Sequence, residues 1–244
     1  MAIAKKTELV EIRPLEMVET KIRIVGDTPL IMHAWSAKAK REILYKEVFG
    51  KKLGKSKREP FADFVSAAYW LTPMPTEFDE ETVYEALKTA KFGFPVTGIK
   101  QASVAAAYRS GWTKDMASVR GTFFIVPEHT HYYSGDLLVH EGKKEIEIVP
   151  NVQRPEQLVE IHSSDVPQLR EDPVRVGNGN SDLRYRPQFD DWYADLTIRY
   201  NANGTYRLDQ ILSMIQAGGQ LCGIGEWRPE KDGQYGQFHI ENVK

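Results

Sequence analysis

The C-terminal stretch of the chain limits its possible folds most strongly, because a strand, a turn, a helix and a glycine-rich segment follow one another there. Residues 191–200, DWYADLTIRY, alternate apolar and polar side chains, which predicts a half-buried strand. Asn203-Gly204 predicts a turn, and RLDQILSMIQAGG at 207–219 predicts an amphipathic helix with Gly218 as its C-terminal stop. In a dinucleotide fingerprint the glycine-rich loop precedes the helix, so we expect no Rossmann-type or P-loop site.

The segment after this helix, GIGEWRPEKDGQYGQFHI at 223–240, combines glycines with groups that grip ligands. Glycines let backbone N–H groups approach phosphates, arginine and lysine neutralise phosphates, and aromatic rings stack on bases. The alternative is a flexible connector, although a pure connector seldom interleaves so many aromatic and basic residues. The residues predicted to contact nucleic acid here are Gly223, Gly225, Trp227, Arg228, Lys231 and Tyr235.

Upstream of this region, predicted strands and helices follow one another without regular alternation. This favours an α+β fold over a doubly wound parallel sheet. We expect an N-terminal arm at 1–18 and a single domain at 19–244, with an inserted helical lobe at about 27–118. The main predicted elements are a strand at 19–26, a helix at 36–53 capped by Ser36, an alanine-rich helix at 94–111, a buried strand at 119–127 and a loop or hairpin at 167–190.

The composition excludes several classes of protein. Hydrophobic residues make up 41% and charged residues 27% of the 244 residues, which is typical of a globular protein. The formal net charge of −2 argues against a strongly basic, indiscriminate nucleic-acid binder but permits a local basic groove. With Cys222 as the single cysteine, this sequence builds neither a disulfide framework nor a cysteine-based zinc site. We expect a cytoplasmic protein without cofactor, bound metal or membrane partner.

Basic residues concentrate in two further places. Between 38 and 58 they favour either a solvated helix face or a surface that follows a phosphate backbone, and both interpretations stay open. The second cluster surrounds Tyr185, where we expect Arg170 and Arg175 to pair with nearby carboxylates. The basic residues predicted to contact nucleic acid are Lys38, Lys40, Arg41, Lys51, Lys52, Lys100, Arg184 and Arg186.

Three histidines deserve separate consideration. His129 and His131 are two residues apart, so both point to one face of a strand. A metal site there has no obvious third ligand, and a polar strand face is the favoured interpretation. His33 follows the first predicted strand, where a loop position without catalytic role is the simpler interpretation.

The order of strand, helix, glycine-rich loop and final strand resembles the C-terminal half of the RAMP superfamily. These are the ferredoxin-like, RRM-related proteins of CRISPR systems, which include the subunits that coat guide RNA. The family's loop corresponds here to Gly223, Gly225, Gly233 and Gly236, with Phe238 starting the strand.

Three other segments carry resemblances. VETKIRIVGDTPLIMH at 18–33 is similar to the first strand of the family, and FPVTGIKQASVAAAY at 94–108 resembles the Pro-led helix that backbone subunits place near RNA. The run LRYRPQFDDWYADLTIRY at 183–200 is similar to uncharacterised bacteriophage proteins, so a phage-encoded relative is as plausible as a CRISPR subunit.

The resemblance implies a ferredoxin-like (RRM-related) core with a large helical insertion. It also implies a non-enzymatic binder of single-stranded RNA or DNA, with RNA favoured, that assembles head-to-tail along the strand. Two alternatives stay open. One is a metal-independent endoribonuclease with His33 as general base, because guide-RNA nucleases of the family often keep a catalytic histidine in that neighbourhood. The other is a phage interaction protein that mimics or inhibits a host complex in the host cytoplasm.

Overall fold

The computed structural model describes residues 14–50, 58–131, 137–141, 144–148, 156–176 and 180–241. Its helices and strands are, in chain order, β1 (Met17–Gly26), β2 (Leu30–Ile31), α1 (Ala37–Phe49), α2 (Pro60–Ser66), α3 (Glu80–Leu87), β3 (Phe92–Pro95), α4 (Val96–Arg109), α5 (Ala117–Arg120), β4 (Phe123–Val126), β5 (His129–His131), β6 (Leu137–Glu141), β7 (Lys144–Ile148), β8 (Glu156–Ile161), β9 (Gln168–Val176), β10 (Asn180–Phe189), β11 (Tyr193–Asn201), α6 (Leu208–Leu221) and β12 (Phe238–Ile240). In the described part of the chain, no helix is both long and apolar enough to cross a membrane.

The central sheet has four strands in the order β12-β1-β11-β4, and each neighbouring pair is antiparallel. The two helices packed against each other, α4 and α6, connect these strands in the chain order β1–α4–β4–β11–α6–β12. Strand-helix-strand repeated in this way, with the last strand beside the first, is the ferredoxin-like arrangement. The predicted α+β fold with a ferredoxin-like core is therefore confirmed.

Alternating side chains explain why one face of this sheet is covered. On β1, Ile22 and Ile24 are buried, and on β11 the buried residues are Ala194, Leu196 and Ile198. Their neighbours in sequence point to the other face, which leaves charged residues there. Burial of apolar side chains at about 25 cal/mol per Å² is the main force that fixes this register, because a shift by one residue would exchange the two faces.

The contact between α4 and α6 corrects one detail of the sequence analysis. The prediction that α6 stops at Gly218 was wrong, because the helix continues to Leu221. A Cβ atom on Gly218 would lie 2.8 Å from the backbone of Ser103 on α4. Gly218 therefore permits close packing of the two helices and does not end one of them.

Two long insertions interrupt the core. The first, between β1 and α4, contains β2, α1, α2, α3 and β3, and the second, between β4 and β11, contains β5 to β10. The inserted lobe at about 27–118 stays a prediction, and α4 falls inside that range although it packs on α6. Most of the predicted arm at 1–18 lies outside the described residues.

The insertions meet beside the core and position the site described next. The hairpin of β9 and β10 pairs with β2, which follows β1 directly, so the sheet order is β2-β10-β9. The N–H of Met32 also donates to the carbonyl of Pro187 at 3.0 Å. These backbone bonds place the side chain of Arg186 next to His33.

Candidate nucleic-acid interface

The glycine-rich loop (residues 223–237) is an ordered turn that is bonded to the start of the first insertion. The N–H of Ile224 donates to Gly236 at 2.9 Å, the N–H of Gly236 to Pro29 at 2.8 Å, and the N–H of Glu226 to Ile31 at 2.9 Å. Gly236 has a φ of 67°, and a Cβ there would lie 1.8 Å from the carbonyl oxygen of Ile224. The loop therefore requires glycine for close backbone approach, which a mere connector would not.

A cleft of about 260 Å³ separates this loop from the first turns of α4. Pro95 precedes the helix and gives it no side-chain cap, so the first N–H groups of α4 lack a capping partner. Pro95, Thr97 and Gly98 line the cleft, so the positive end of the helix dipole faces it. The residues lining the cleft are His33, Tyr69, Phe94, Pro95, Thr97, Gly98, Gln101, Ala102, Gly223, Ile224, Gly225, Glu226, Arg228 and Glu230.

His33 and Glu226 form a hydrogen-bonded pair in this cleft. The distance from His33 Nδ1 to Glu226 Oε1 is 3.1 Å. This bond holds the pKa of the Glu226 carboxyl below its usual range, burial opposes it, and Arg186 adds to the lowering. Sequence reasoning identified His33 but missed Glu226. The signal in the sequence was the carboxylate itself, because a negative group is unexpected in a loop predicted to bind phosphate.

Beneath this pair lies a buried cluster of charges. Arg186 is 5% exposed, and its Nη1 donates to Asp172 Oδ2 at 3.3 Å. Its Nη2 lies 3.8 Å from Glu226 Oε2, and its Nε has no hydrogen-bond partner among the described residues. Arg170 Nε donates to the other oxygen of Asp172 at 2.7 Å. Arg186 thus supports the residues that line the cleft and is itself shielded from solvent.

Arg228 is part of the cleft wall. Its Nη1 donates to the carbonyl of Gly225 at 2.8 Å, and its Nε and Nη2 both donate to Glu230 Oε2, at 3.1 and 3.0 Å. Arg109 from the end of α4 reaches the other oxygen of Glu230 at 3.0 Å. Glu230 is therefore shared by two arginines, and part of their positive charge is left for a ligand.

The other predicted residues of the loop differ in their environment. Trp227 is 36% exposed and has a φ of 52°, a left-handed conformation that bulky residues rarely adopt. Lys231 is exposed at the end of the short 3₁₀ turn at 229–231. The ring of Tyr235 lies under the guanidinium of Arg170, with 4.7 Å from Cζ to the ring centroid. Tyr235 is therefore occupied within the protein, whereas Trp227 is accessible.

Two further predicted residues, Lys100 and Arg184, are not among those that line the cleft. Lys100 points toward β4, with its Nζ 4.3 Å above the ring of Phe124, and burial lowers the pKa of its amine. Arg184 pairs with Asp182 at 3.2 Å. Lys38, Lys40 and Arg41 belong to α1, whose N-cap is Ser36 as predicted, and their side chains are not among those described. Lys51 and Lys52 lie outside the described residues.

The paired histidines of β5 are the last candidates. His129 Nε2 lies 3.6 Å from Glu160 Oε2, and Glu160 also approaches His162 and Lys91. The side chain of His131 is not described. Within the described ranges, no group of three or more His, Cys, Asp or Glu side chains has a metal-binding arrangement.

Comparison with known proteins gives matches among solved structures alone. No family model matches the chain, and no curated protein does. A Type III-B Cmr-beta structure bound to cognate target RNA is similar at 12% identity and a TM-score of 0.41, and the match covers 93% of this chain and 60% of that chain. Cmr6 from Pyrococcus furiosus is similar at 12% identity and a TM-score of 0.37, and the match covers 93% of this chain and 100% of that chain.

The chain spans 60% of the length of the Cmr-beta chain that it matches. Because both TM-scores are low, the ferredoxin-like assignment rests on the strand order of the chain itself.

Proposed function

We propose that this protein binds single-stranded nucleic acid, with RNA favoured, by holding a backbone phosphate between the glycine-rich loop and the start of α4. The observation that carries this proposal is that one cleft has both features on its walls, together with Arg228. Helix N-termini bind phosphates because their N–H groups are unpaired and their dipole is positive. Glycine-containing turns permit close backbone approach to the same group.

The size of the cleft is near the lower limit for a small-molecule site and suits one phosphate with its sugar. Its volume of about 260 Å³ is below the roughly 300–1,000 Å³ of typical small-molecule sites. A phosphate with its sugar enters such a space, while the neighbouring nucleotides lie outside it. Continuation of the strand over the basic helix α1, and head-to-tail assembly of several copies along it, are part of the proposal.

The charge near the cleft supports contact with few phosphates. The hydrogen-bonded cluster at the cleft has four arginines and three carboxylates, which leaves one positive charge when His33 is neutral. Its members are Arg109, Arg170, Arg186, Arg228, Asp172, Glu226 and Glu230. Each phosphate neutralised on a single strand contributes about −0.7 to the slope of log K against log salt. We therefore expect a slope of about −2 to −3 once α1 is included, far from that of a strongly basic protein.

The test is a fluorescence-anisotropy titration with a labelled oligouridine at about 50 and about 200 mM salt. Arg228→Ala is expected to weaken binding about tenfold, because a hydrogen bond to a charged group contributes about 1.5 kcal/mol at the lower end of its range. Arg207→Ala is the matched control, since this exposed arginine pairs with Asp209 at the start of α6. Absence of binding to the wild-type protein at low salt would show that the proposal is wrong.

The His33–Glu226 pair favours a second candidate, a metal-independent endoribonuclease. If the Nδ1 proton of His33 is donated to Glu226, Nε2 carries a free lone pair, and it has no hydrogen-bond partner among the described residues. Such a nitrogen is able to take the proton of a 2′-hydroxyl, whose oxygen then attacks the adjacent phosphorus. The 5′-oxygen leaves with a proton from water, and the product ends in a 2′,3′-cyclic phosphate.

This candidate is tested by incubating labelled RNA with the protein in EDTA. We expect wild type to produce cyclic-phosphate ends, His33→Ala to lose cleavage, and the DNA oligomer of the same sequence to stay intact. Equal cleavage by wild type and His33→Ala, or none by either, would exclude the nuclease and leave the binding proposal unaffected.

A further inference from the structure

Two exposed tryptophans are close in sequence to residues that line the cleft. Trp35 is 61% exposed and follows His33 by two residues, and Trp227 is 36% exposed and follows Glu226 directly. His33 and Glu226 are hydrogen-bonded at 3.1 Å. Trp35 is therefore two residues along the chain from this pair, and Trp227 is one residue from it. Consecutive Cα atoms are about 3.8 Å apart, so the backbone of each tryptophan is close to the cleft.

The backbone at each tryptophan is fixed by its neighbours. Before Trp35, the N–H of Ala34 donates to Ala67 at 2.8 Å, and after it Ser36 caps α1. Met32 and Ala34 are both buried, so the alternation of this segment leaves Trp35 outside the core. Because the backbone is fixed on both sides of Trp35, the fold itself holds its large indole at the surface.

Trp227 is exposed and has a strained backbone conformation. A left-handed conformation is strained for a bulky residue and persists only when the surroundings enforce it. Here the enforcing contacts are backbone ones: the Tyr235 N–H donates to the Trp227 carbonyl at 3.0 Å, and a Cβ on Gly233 would lie 1.7 Å from that oxygen. Strain maintained at an exposed aromatic residue points to a ligand.

We propose that Trp35 and Trp227 stack on the two nucleobases that flank the phosphate in the cleft, so that the ligand is an unpaired strand read by its ring faces. This rests on the proposed nucleic-acid binding and adds Trp35, which sequence reasoning did not single out. Sequence reasoning did single out Tyr235, but its ring is covered by the guanidinium of Arg170 and is not free to stack on a base. A duplex is excluded as ligand, because its bases are already stacked and paired.

The experiment compares two probes of equal length, a labelled oligouridine and an abasic phosphodiester oligomer. Base–aromatic stacking is worth roughly a 5- to 150-fold change in affinity per base on alanine substitution. Trp35→Ala is expected to lose that much toward oligouridine and less than about twofold toward the abasic oligomer, which offers no ring. Trp112→Ala is the matched control: this tryptophan is 50% exposed, follows the C-terminal end of α4, and is far in sequence from His33 and Glu226.

A second readout does not depend on the alanine variant being folded. Stacking quenches tryptophan emission, so oligouridine should quench wild type more than Trp35→Phe, which retains a ring and most of the affinity. If wild type binds oligouridine but Trp35→Ala and Trp112→Ala are alike, the stacking inference is overturned and the proposed function stands. If wild type binds neither oligomer, both are overturned.

Discussion

Arg186 and Arg228 look alike in the sequence, because each lies beside an aromatic residue and a proline in a segment rich in charge. In the structure Arg228 lines the cleft, whereas Arg186 lies beneath the residues that line it. Arg228 is half-buried in its wall, whereas Arg186 is 5% exposed and bonded to Asp172. An arginine with a buried carboxylate partner stabilises the fold of a site, while an accessible one is available to a ligand. The comparison teaches that burial, and not sequence context, separates the two roles.

The largest expected effect comes from breaking the buried pair. Arg186→Ala should lower the free energy of unfolding by about 3 kcal/mol, because removal of one partner leaves a buried charge uncompensated. Arg170 still bonds Asp172, so the upper part of that range is not expected. Urea denaturation measures the change. The control is Arg184→Ala, where the lost pair is more exposed and the change should be below about 1 kcal/mol. Equal losses in the two variants would remove the distinction between Arg186 and the surface arginines.

A smaller effect is expected from substituting the glycine that lets the loop close. Gly236→Ala should lower the free energy of unfolding by at least about 2 kcal/mol, since a left-handed alanine alone costs about 1–2 kcal/mol and the carbonyl of Ile224 must move. Gly121→Ala is the matched control, because nothing lies within 4 Å of a Cβ there. Oligouridine binding should fall in the first variant and stay unchanged in the second. Full stability of Gly236→Ala would contradict the close approach.

The smallest effect concerns Glu226, which touches both the buried cluster and the open cleft. Its pKa is lowered in the folded protein, so its contribution to stability is present above about pH 4.3 and is lost as the pH falls through the folded value. Glu226→Gln should therefore cost less than about 1 kcal/mol near neutral pH, and the difference from wild type should vanish in acid. Chemical denaturation at a series of pH values measures this. A difference that is independent of pH would mean that the charge of Glu226 has no part in it.

Much of the core follows from local sequence patterns. The alternation in β1 and β11 and the apolar spacing of α6 are visible in the sequence and are present in the structure. Ser36 caps α1 as its side-chain chemistry requires. These elements depend on interactions between residues close in sequence, so local sequence patterns predict them.

The candidate site follows from the sequence only in part. Gly223, Gly225 and Arg228 were found because they lie together in one segment that also lines the cleft. Glu226 was missed although its carboxylate is visible in the loop sequence, and its place depends on the bond from its N–H to Ile31. The buried position of Arg186 was missed because it depends on pairing between β2 and the hairpin of β9 and β10. Such long-range pairing is decided by packing of the whole chain, and no local pattern reports it.

The bond between His33 and Glu226 joins residues 193 positions apart, and other bonds tie the same loop to Pro29 and Ile31. During translation, the first of these partners leaves the ribosome long before the second exists. A nascent chain therefore has α4 before it has the loop that forms the opposite wall of the cleft. The cleft is complete only once residues 223–237 have been synthesised and have folded back onto Pro29 and Ile31.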